Sequence, residues 1–395
     1  MHEKANIDNS IDRAICPPID RAIDRQAFRF CVAPMMDWTD RHDRYFLRLI
    51  SRHARLYTEM VTADAVRFGC RDRLLGFDKA EHPLGLQLGG SEPDALAEAA
   101  QIGESYGYDE INLNIGCPSH RVQSGRFGAC LMQEPQLVAA CVAAMRAAVK
   151  IPISIKCRLG VDEQEPREAL FELVAQTAAA GCHIFIVHAR KAWLSGLNPR
   201  QNRDIPPLDY ELVYELKKTY PNLTIILNGG IETLEAARAH MPHVDGVMLG
   251  RAAYKRPYML AEVDSLFYGD RRKPPSREAI ICALIPYAEN LVRQNVPLSA
   301  LTRHLMGLYA GQPGGRMWRR WLSENAPRAK ADVRFLSKLV TAMKTQFART
   351  DSQALNGKTQ THESRAQESQ IHESHAHSSQ PHELQTHELQ AALAL

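Results

Sequence analysis

Residues 110–132 read EINLNIGCPSHRVQSGRFGACLM, and the first half of this stretch decides the fold. Ile111, Leu113 and Ile115 alternate with Asn112 and Asn114, the period-two pattern of a β-strand. The run stops at Gly116-Cys117-Pro118, and a glycine-rich loop carrying Arg121 and Arg126 comes next. Proline keeps the residue before it extended, so Cys117 is fixed at the mouth of the strand.

Seven further segments repeat the theme. They are FCVAPM (30–35), RLYTEMV (55–61), LGLQLGG (84–90), ISIKCRLG (153–160), IFIVHAR (184–190), TIILNGGI (224–231) and GVMLGR (246–251). Several are continuously apolar, as strands covered on both faces are. Amphipathic helical stretches such as EPDALAEAAQIGESYG (92–107), EPQLVAACVAAMRAAV (134–149) and EALFELVAQTAAAG (168–181) lie between them, opening on proline or acidic residues. Eight such units predict an α/β fold, a (β/α)8 TIM barrel. A doubly wound sheet is the alternative, weakened by the lack of a G-x-G-x-x-G after the first strand.

Three stretches beyond residue 270, at 277–294, 300–311 and 332–347, read as amphipathic helices and predict a C-terminal all-α helical domain. The domain reading is an N-terminal extension over 1–27, the barrel over 28–268, the helical domain over 269–348 and a tail over 349–395. Both ends are polar, and the tail is repetitive (THESRAQESQIHESHAHSSQ), so disorder is expected there.

The net charge of +3 conceals an asymmetry. Between Arg271 and Arg349 there are 15 Lys and Arg against 4 Asp and Glu, about +11, leaving the remainder near −8. That is the footprint of a polyanion-binding surface, with a solvated helical face as the plainer explanation. Nine cysteines, an odd number without a C-x-x-C pair, argue against a disulfide framework or a zinc site and for a reducing, cytoplasmic setting. No segment reads as a membrane span or a secretory signal.

In barrels of this kind chemistry sits at the C-terminal ends of the strands. Here those ends carry Pro34-Met35-Met36, Glu59, Gln87, Asn112/Asn114/Cys117, Lys156/Arg158, His188/Arg190, Asn228-Gly229-Gly230 and Gly250-Arg251. The NGG and GR turns close the seventh and eighth strands, where barrels often hold a phosphate on backbone N–H groups. Arg251 can add a bidentate contact. A lysine at 156, inside a strand, is costly unless an anion meets it. A thiol beyond the apolar run can donate a proton, since free thiols are mostly protonated at neutral pH. A buried, inert cysteine is the competing explanation, and Cys130 and Cys157 are the fallback acids.

The motifs APMMDWTD (33–40), LQLGG (86–90), NLNIGCPS (112–119), GACLM (128–132), IKCRLG (155–160), HAR (188–190), NGGI (228–231) and LGRAAY (249–254) together resemble the tRNA-dihydrouridine synthases over residues 28–348. The resemblance implies an FMN-containing barrel that reduces specific uridines of tRNA with NADPH. It implies that Pro34, Met35 and Met36 lie under the flavin, that Gln87, Lys156 and His188 contact it, and that Asn228, Gly229, Gly230, Gly250 and Arg251 hold its phosphate. Cys117 matches the catalytic acid and Asn114 a residue facing the substrate nucleotide. HARKAWLSGLNPRQNR (188–203) and GQPGGRMWRRWLSENA (311–326) are similar to the bacterial A-type branch, implying uridines 20 and 20a of the D-loop and tRNA contacts from Arg200, Arg203, Arg316 and Arg319. An FMN oxidoreductase of free pyrimidines, like the dihydroorotate dehydrogenases, and a non-catalytic RNA-binding barrel stay open as rivals.

Overall fold

A computed structural model describes residues 24–325, 333–334 and 336–345. Nine parallel strands form one sheet: β1 (Phe30–Val32), β2 (Leu56–Tyr57), β3 (Val61–Thr62), β4 (Leu84–Gly89), β5 (Glu110–Ile115), β6 (Ile153–Arg158), β7 (Ile184–His188), β8 (Thr224–Asn228) and β9 (Gly246–Leu249). Their order is β1-β9-β8-β7-β6-β5-β4-β2, with β3 also on β4. The circle closes through Arg55, which pairs with Cys31 and exchanges backbone hydrogen bonds with Phe30 and Val32 at 2.9 Å.

The eight expected segments are therefore the eight staves, with one break. Tyr57 pairs with Gly85 but Val61 with Leu88, so the second stave carries one residue more than its neighbour between those pairs. The excess bulges out of the ladder and splits the stave into β2 and β3. Thr58 puts the interruption to use: its Oγ1 accepts the Gln87 N–H at 3.0 Å.

Helices Pro93–Tyr106, Pro135–Ala148 and Pro166–Ala179 come after β4, β5 and β6, each with proline in its first turn, where a missing N–H costs nothing. Residues 24–27, read as extension, belong to the fold. Arg25–Phe28 winds as a 3-10 turn capped by Asp24, and Phe28, 2% exposed, joins the apolar cluster inside the barrel. Residues 1–23 and 349–395 lie outside the described residues.

The first helix after the barrel is continuous over Arg277–Arg293. The one expected over 300–311 is not. It forms only Ser299–Thr302, then tightens to a 3-10 turn over Arg303–Gly307. The reason is close packing: a Cβ on Gly307 would meet the Lys255 carbonyl oxygen at 2.4 Å, and the Leu305 carbonyl accepts from Trp318 Nε1 at 2.7 Å. Helix Gly315–Asn325 buries Trp318 and Leu322 and turns Arg316 and Arg319 outward. The described residues through Val340 form one compact unit with the barrel. The two parts are joined by Asp40, which caps helix Arg41–Ile50 and accepts from Arg303 Nη2 at 2.5 Å, with His304 Nε2 at 3.1 Å. Among the described residues no helix is long and apolar enough to cross a membrane.

Candidate active site

A cavity of about 540 Å³ opens at the C-terminal ends of the strands. Its lining includes Pro34, Met35, Met36, Gln87, Asn114, Cys117, Lys156, His188, Arg203, Asn228, Gly229, Gly230, Gly250 and Arg251. Residues 217 apart in sequence thus share one wall because each ends a parallel strand or begins the loop after it. Arg200, Arg316 and Arg319 do not line it; all three are exposed. Met36, 57% exposed, stands at the mouth.

Cys117 is held from its backbone. Asn114 Oδ1 accepts the N–H groups of Gly116 and Cys117, both at 3.0 Å, and the Cys117 carbonyl accepts from Ala129 at 3.0 Å. The other two thiols considered are differently placed. Cys157 is fully buried, and burial pushes its thiol up to about 12. Cys130 donates to the Phe127 carbonyl at 3.2 Å, and burial raises it too.

Lys156 Nζ donates to Asn228 Oδ1 at 2.9 Å, and Asn228 in turn donates to the Met248 carbonyl at 2.7 Å. No carboxylate pairs with this ammonium among the described residues. Loss of solvent, then the charge of Arg158, pull the Lys156 pKa down to about 8. Arg158 is 4% exposed and is held by carbonyls rather than carboxylates: Gly116 at 3.0 Å, Asn202 at 2.9 Å and Lys191 at 3.1 Å. Desolvation brings it to about 10. His188 is pushed well below the usual imidazole range by burial and then by Arg158 and Lys156. Its Nδ1 is buried without a hydrogen-bond partner. Cations without a carboxylate, Arg158 buried and Lys156 half-buried, and an orphaned ring nitrogen are what a site for an anionic, hydrogen-bonding ligand leaves on the protein side.

The glycine turns fit the same ligand. Gly229 and Gly230 have φ of 115° and 68°, a conformation that side chains disfavour, and a Cβ on Gly230 would meet Leu208 at 2.5 Å. Tyr210 fixes the turn by donating its hydroxyl to the Gly229 carbonyl at 2.8 Å. Arg251 is tethered to Asp204 at 2.8 Å, on the helical turn Gln201–Asp204 that also carries Arg203.

Arg158, Trp38 and Met60 are among the lining residues without a role in the sequence reading. Arg158 is marked there only as a polar strand end, although its place two residues beyond Lys156, on the same face of β6, was a usable signal. Trp38 lines the cavity while stacking on Tyr254 at 4.3 Å, a contact that no local pattern reveals. Met60 enters the wall because of the break in the second stave.

A family model described as Dihydrouridine synthase (Dus) matches residues 31–347. The tRNA-dihydrouridine(20/20a) synthase of Escherichia coli O6:H1 is 54% identical over 311 residues, covering 78% of this chain and 94% of that protein. The protein of the same name from Shewanella oneidensis is 54% identical over 318 residues, 80% and 95% of the two chains. That from Vibrio cholerae is 53% identical over 306 residues, 77% and 93%. Among solved structures, an old yellow enzyme homologue from Zymomonas mobilis aligns with a TM-score of 0.45 at 12% identity, covering 64% of this chain and 92% of that one.

Proposed function

Because this chain belongs to the dihydrouridine synthase family, we propose that it reduces the C5–C6 double bond of uridines in tRNA, at positions 20 and 20a of the D-loop. The observation that carries the reading is the meeting of the Cys117 thiol, the Lys156 ammonium and the two glycine turns in one cavity.

The residues present fit FMN. Asn228, Gly229, Gly230, Gly250 and Arg251 would hold its phosphate; Pro34, Met35 and Met36 would lie against its ring; Gln87, Lys156 and His188 would bond its polar edge. FMN bound there, once reduced by NADPH, would supply a hydride for C6 of uracil. The C5–C6 bond is conjugated to the C4 carbonyl, so the added electron pair moves toward O4 and C5 becomes basic. Cys117 then gives its proton to C5, acting as general acid. Asn114, at the foot of the same turn, faces the nucleotide.

A uridine in folded RNA must leave its stack to reach this cavity, at a cost of a few kcal/mol. Arg200 and Arg203 beside the mouth, with Arg316 and Arg319 on the helical part, would offset that cost by gripping phosphates, and Arg121, on the short helix His120–Ser124, would add to that grip with Arg126 just after it. Residues 269–348 thus act as the tRNA-binding part, and the setting is the cytoplasm. The purified protein is expected to be yellow, and tRNA from cells lacking it should lose dihydrouridine at 20 and 20a on mapping. A colourless protein, or unchanged modification, overturns the assignment.

A further inference from the structure

The hydrogen bonds on the polar side of the barrel run in one direction. The backbone N–H groups of Gly116 and Cys117 can only donate, and both use Asn114 Oδ1. Asn114 must then point its amide nitrogen at Gln87, whose Oε1 accepts at 2.9 Å. Gln87 Nε2 donates to Asn112 Oδ1 at 2.7 Å, Asn112 Nδ2 to Ser154 Oγ at 2.6 Å, and the Ser154 hydroxyl to the Glu110 carboxylate. Glu110 is fully buried. It also accepts from the Tyr57 hydroxyl at 3.0 Å, and Arg55 Nε lies 3.3 Å from it.

A carboxylate facing hydroxyl donors and a guanidinium accepts; a backbone N–H donates. The two ends of the chain therefore impose the same polarity on the three side-chain amides between them. Elsewhere an amide can turn over to suit its neighbours. Here a flip of any one would set donor against donor, in a place where an unmet polar group is expensive. Gln87 and Asn114 line the cavity, so this polarity leaves the second N–H of each amide as the group offered to a ligand.

We propose that Glu110, at the floor of the barrel, is a positioning residue for the Cys117 thiol, acting through the one-way chain Ser154, Asn112, Gln87, Asn114. Glu110 touches neither cofactor nor substrate in this role. From the far end of the chain it backs the orientation of Asn114 that receives the Cys117 N–H, and so holds the turn that aims the sulfur. The inference rests on the reading of Cys117 as the acid.

The polarity argument makes Glu110→Gln informative. Its new amide can donate to Ser154, which lets every amide turn over and brings the conflict to rest at Cys117. Ser154→Ala cuts the chain but leaves Glu110, Tyr57 and Arg55 in place, and Ser154→Thr keeps the hydroxyl. In the flavin-loaded full chain, Glu110→Gln and Ser154→Ala should each lower kcat for tRNA on the order of tenfold or more, as a displaced reacting group does. KM for tRNA should hold, flavin content should fall far less than kcat, and Ser154→Thr should restore the rate. Alkylation of Cys117 by iodoacetamide at one fixed pH, tracked on its peptide by mass spectrometry, should change severalfold in the first two variants and not in the third.

Wild-type kcat and wild-type alkylation in Ser154→Ala overturn the proposal. So does a loss of rate that merely tracks loss of flavin. Should Glu110→Gln fail to fold, the Ser154 pair decides alone. Cys117→Ala run alongside separates the two readings: full product formation in that variant removes Cys117 as the acid, whereas altered alkylation in Ser154→Ala still upholds the chain of positioning.

Discussion

The inward positions of β4, β5 and β6 include Gln87, Glu110, Asn112, Asn114, Ser154, Lys156 and Arg158, whereas across the barrel β7, β8, β9 and β1 turn Ile184, Ile186, Ile226, Met248 and Cys31 to the centre and become polar only at the ends of β7 and β8, at His188 and Asn228. Both halves are buried, yet different physics holds them. The apolar half is stabilised in proportion to the area it hides from water, about 25 cal/mol per Å². The polar half gains little net stability from its hydrogen bonds, since each replaces one made to water. What it gains is a single arrangement, because each buried group has one partner that suits it. The cavity draws on both: beside the polar half it inherits fixed donors from the strands themselves, and across from it only the strand ends and the turns after them, at His188, Asn228 and the two glycine turns, supply polar groups.

That division can be broken by experiment, beginning with the polar side. Cys117→Ala should lower dihydrouridine formation by on the order of 10²- to 10⁴-fold, the usual worth of a general acid. Flavin content and thermal stability should hardly move. Mass spectrometry of tRNA nucleosides measures the first, and the visible spectrum with a melting curve the second. Ile184→Ala is the counterpart on the apolar side. It should cost about 2–5 kcal/mol in denaturant unfolding, from lost burial and the hole left behind, while kcat at a temperature where the protein is folded stays near wild type. A large kcat loss at Ile184, or an unfolded Cys117→Ala, would show that the halves are not separable.

The pH dependence of flavin binding sharpens the comparison further. Desolvation places Lys156 near 8 in the free protein, and an anionic ligand favours the protonated form. Below pH 8 the ammonium is already present. Above it, binding must take up a proton, so Kd for FMN should rise up to about tenfold per pH unit, and Lys156→Met should abolish that slope. Fluorescence titration from pH 7 to 9 reads it. The smallest effect belongs to the exposed surface. Arg316→Ala with Arg319→Ala should weaken tRNA binding severalfold and lower the dependence of log K on log salt by about 2, one per lost phosphate contact, with flavin content unchanged.

Much of this was readable from residues in order. Strand ends are local features, so Gln87, Lys156, His188 and Asn228 could be collected by noting the polar residue at the close of each apolar run, and the cavity does gather them. The break in the second stave was not readable, because a bulge depends on the pairing of Tyr57 and Val61 with a different strand. The helix expected over 300–311 failed for a similar reason. Its local pattern favours a helix, but Gly307 packs against Lys255 and Pro257, and the backbone tightens to fit. Arg200 and Arg203 look alike three residues apart. Only the folded loop turns Arg203 into the cavity and leaves Arg200 outside.

The order of the chain by itself determined that eight short apolar runs would stand as parallel strands, and that Cys117 would sit at the exit of one of them. Those are consequences of side-chain periodicity and of proline, which act over a few residues. Tertiary structure alone decided that hydrogen bonds link Glu110 on one stave, through Ser154, Asn112 and Gln87 on three, to the amide that holds Cys117. Hydrogen-bond polarity passes between strands only once their register is fixed, and register is a property of the closed barrel.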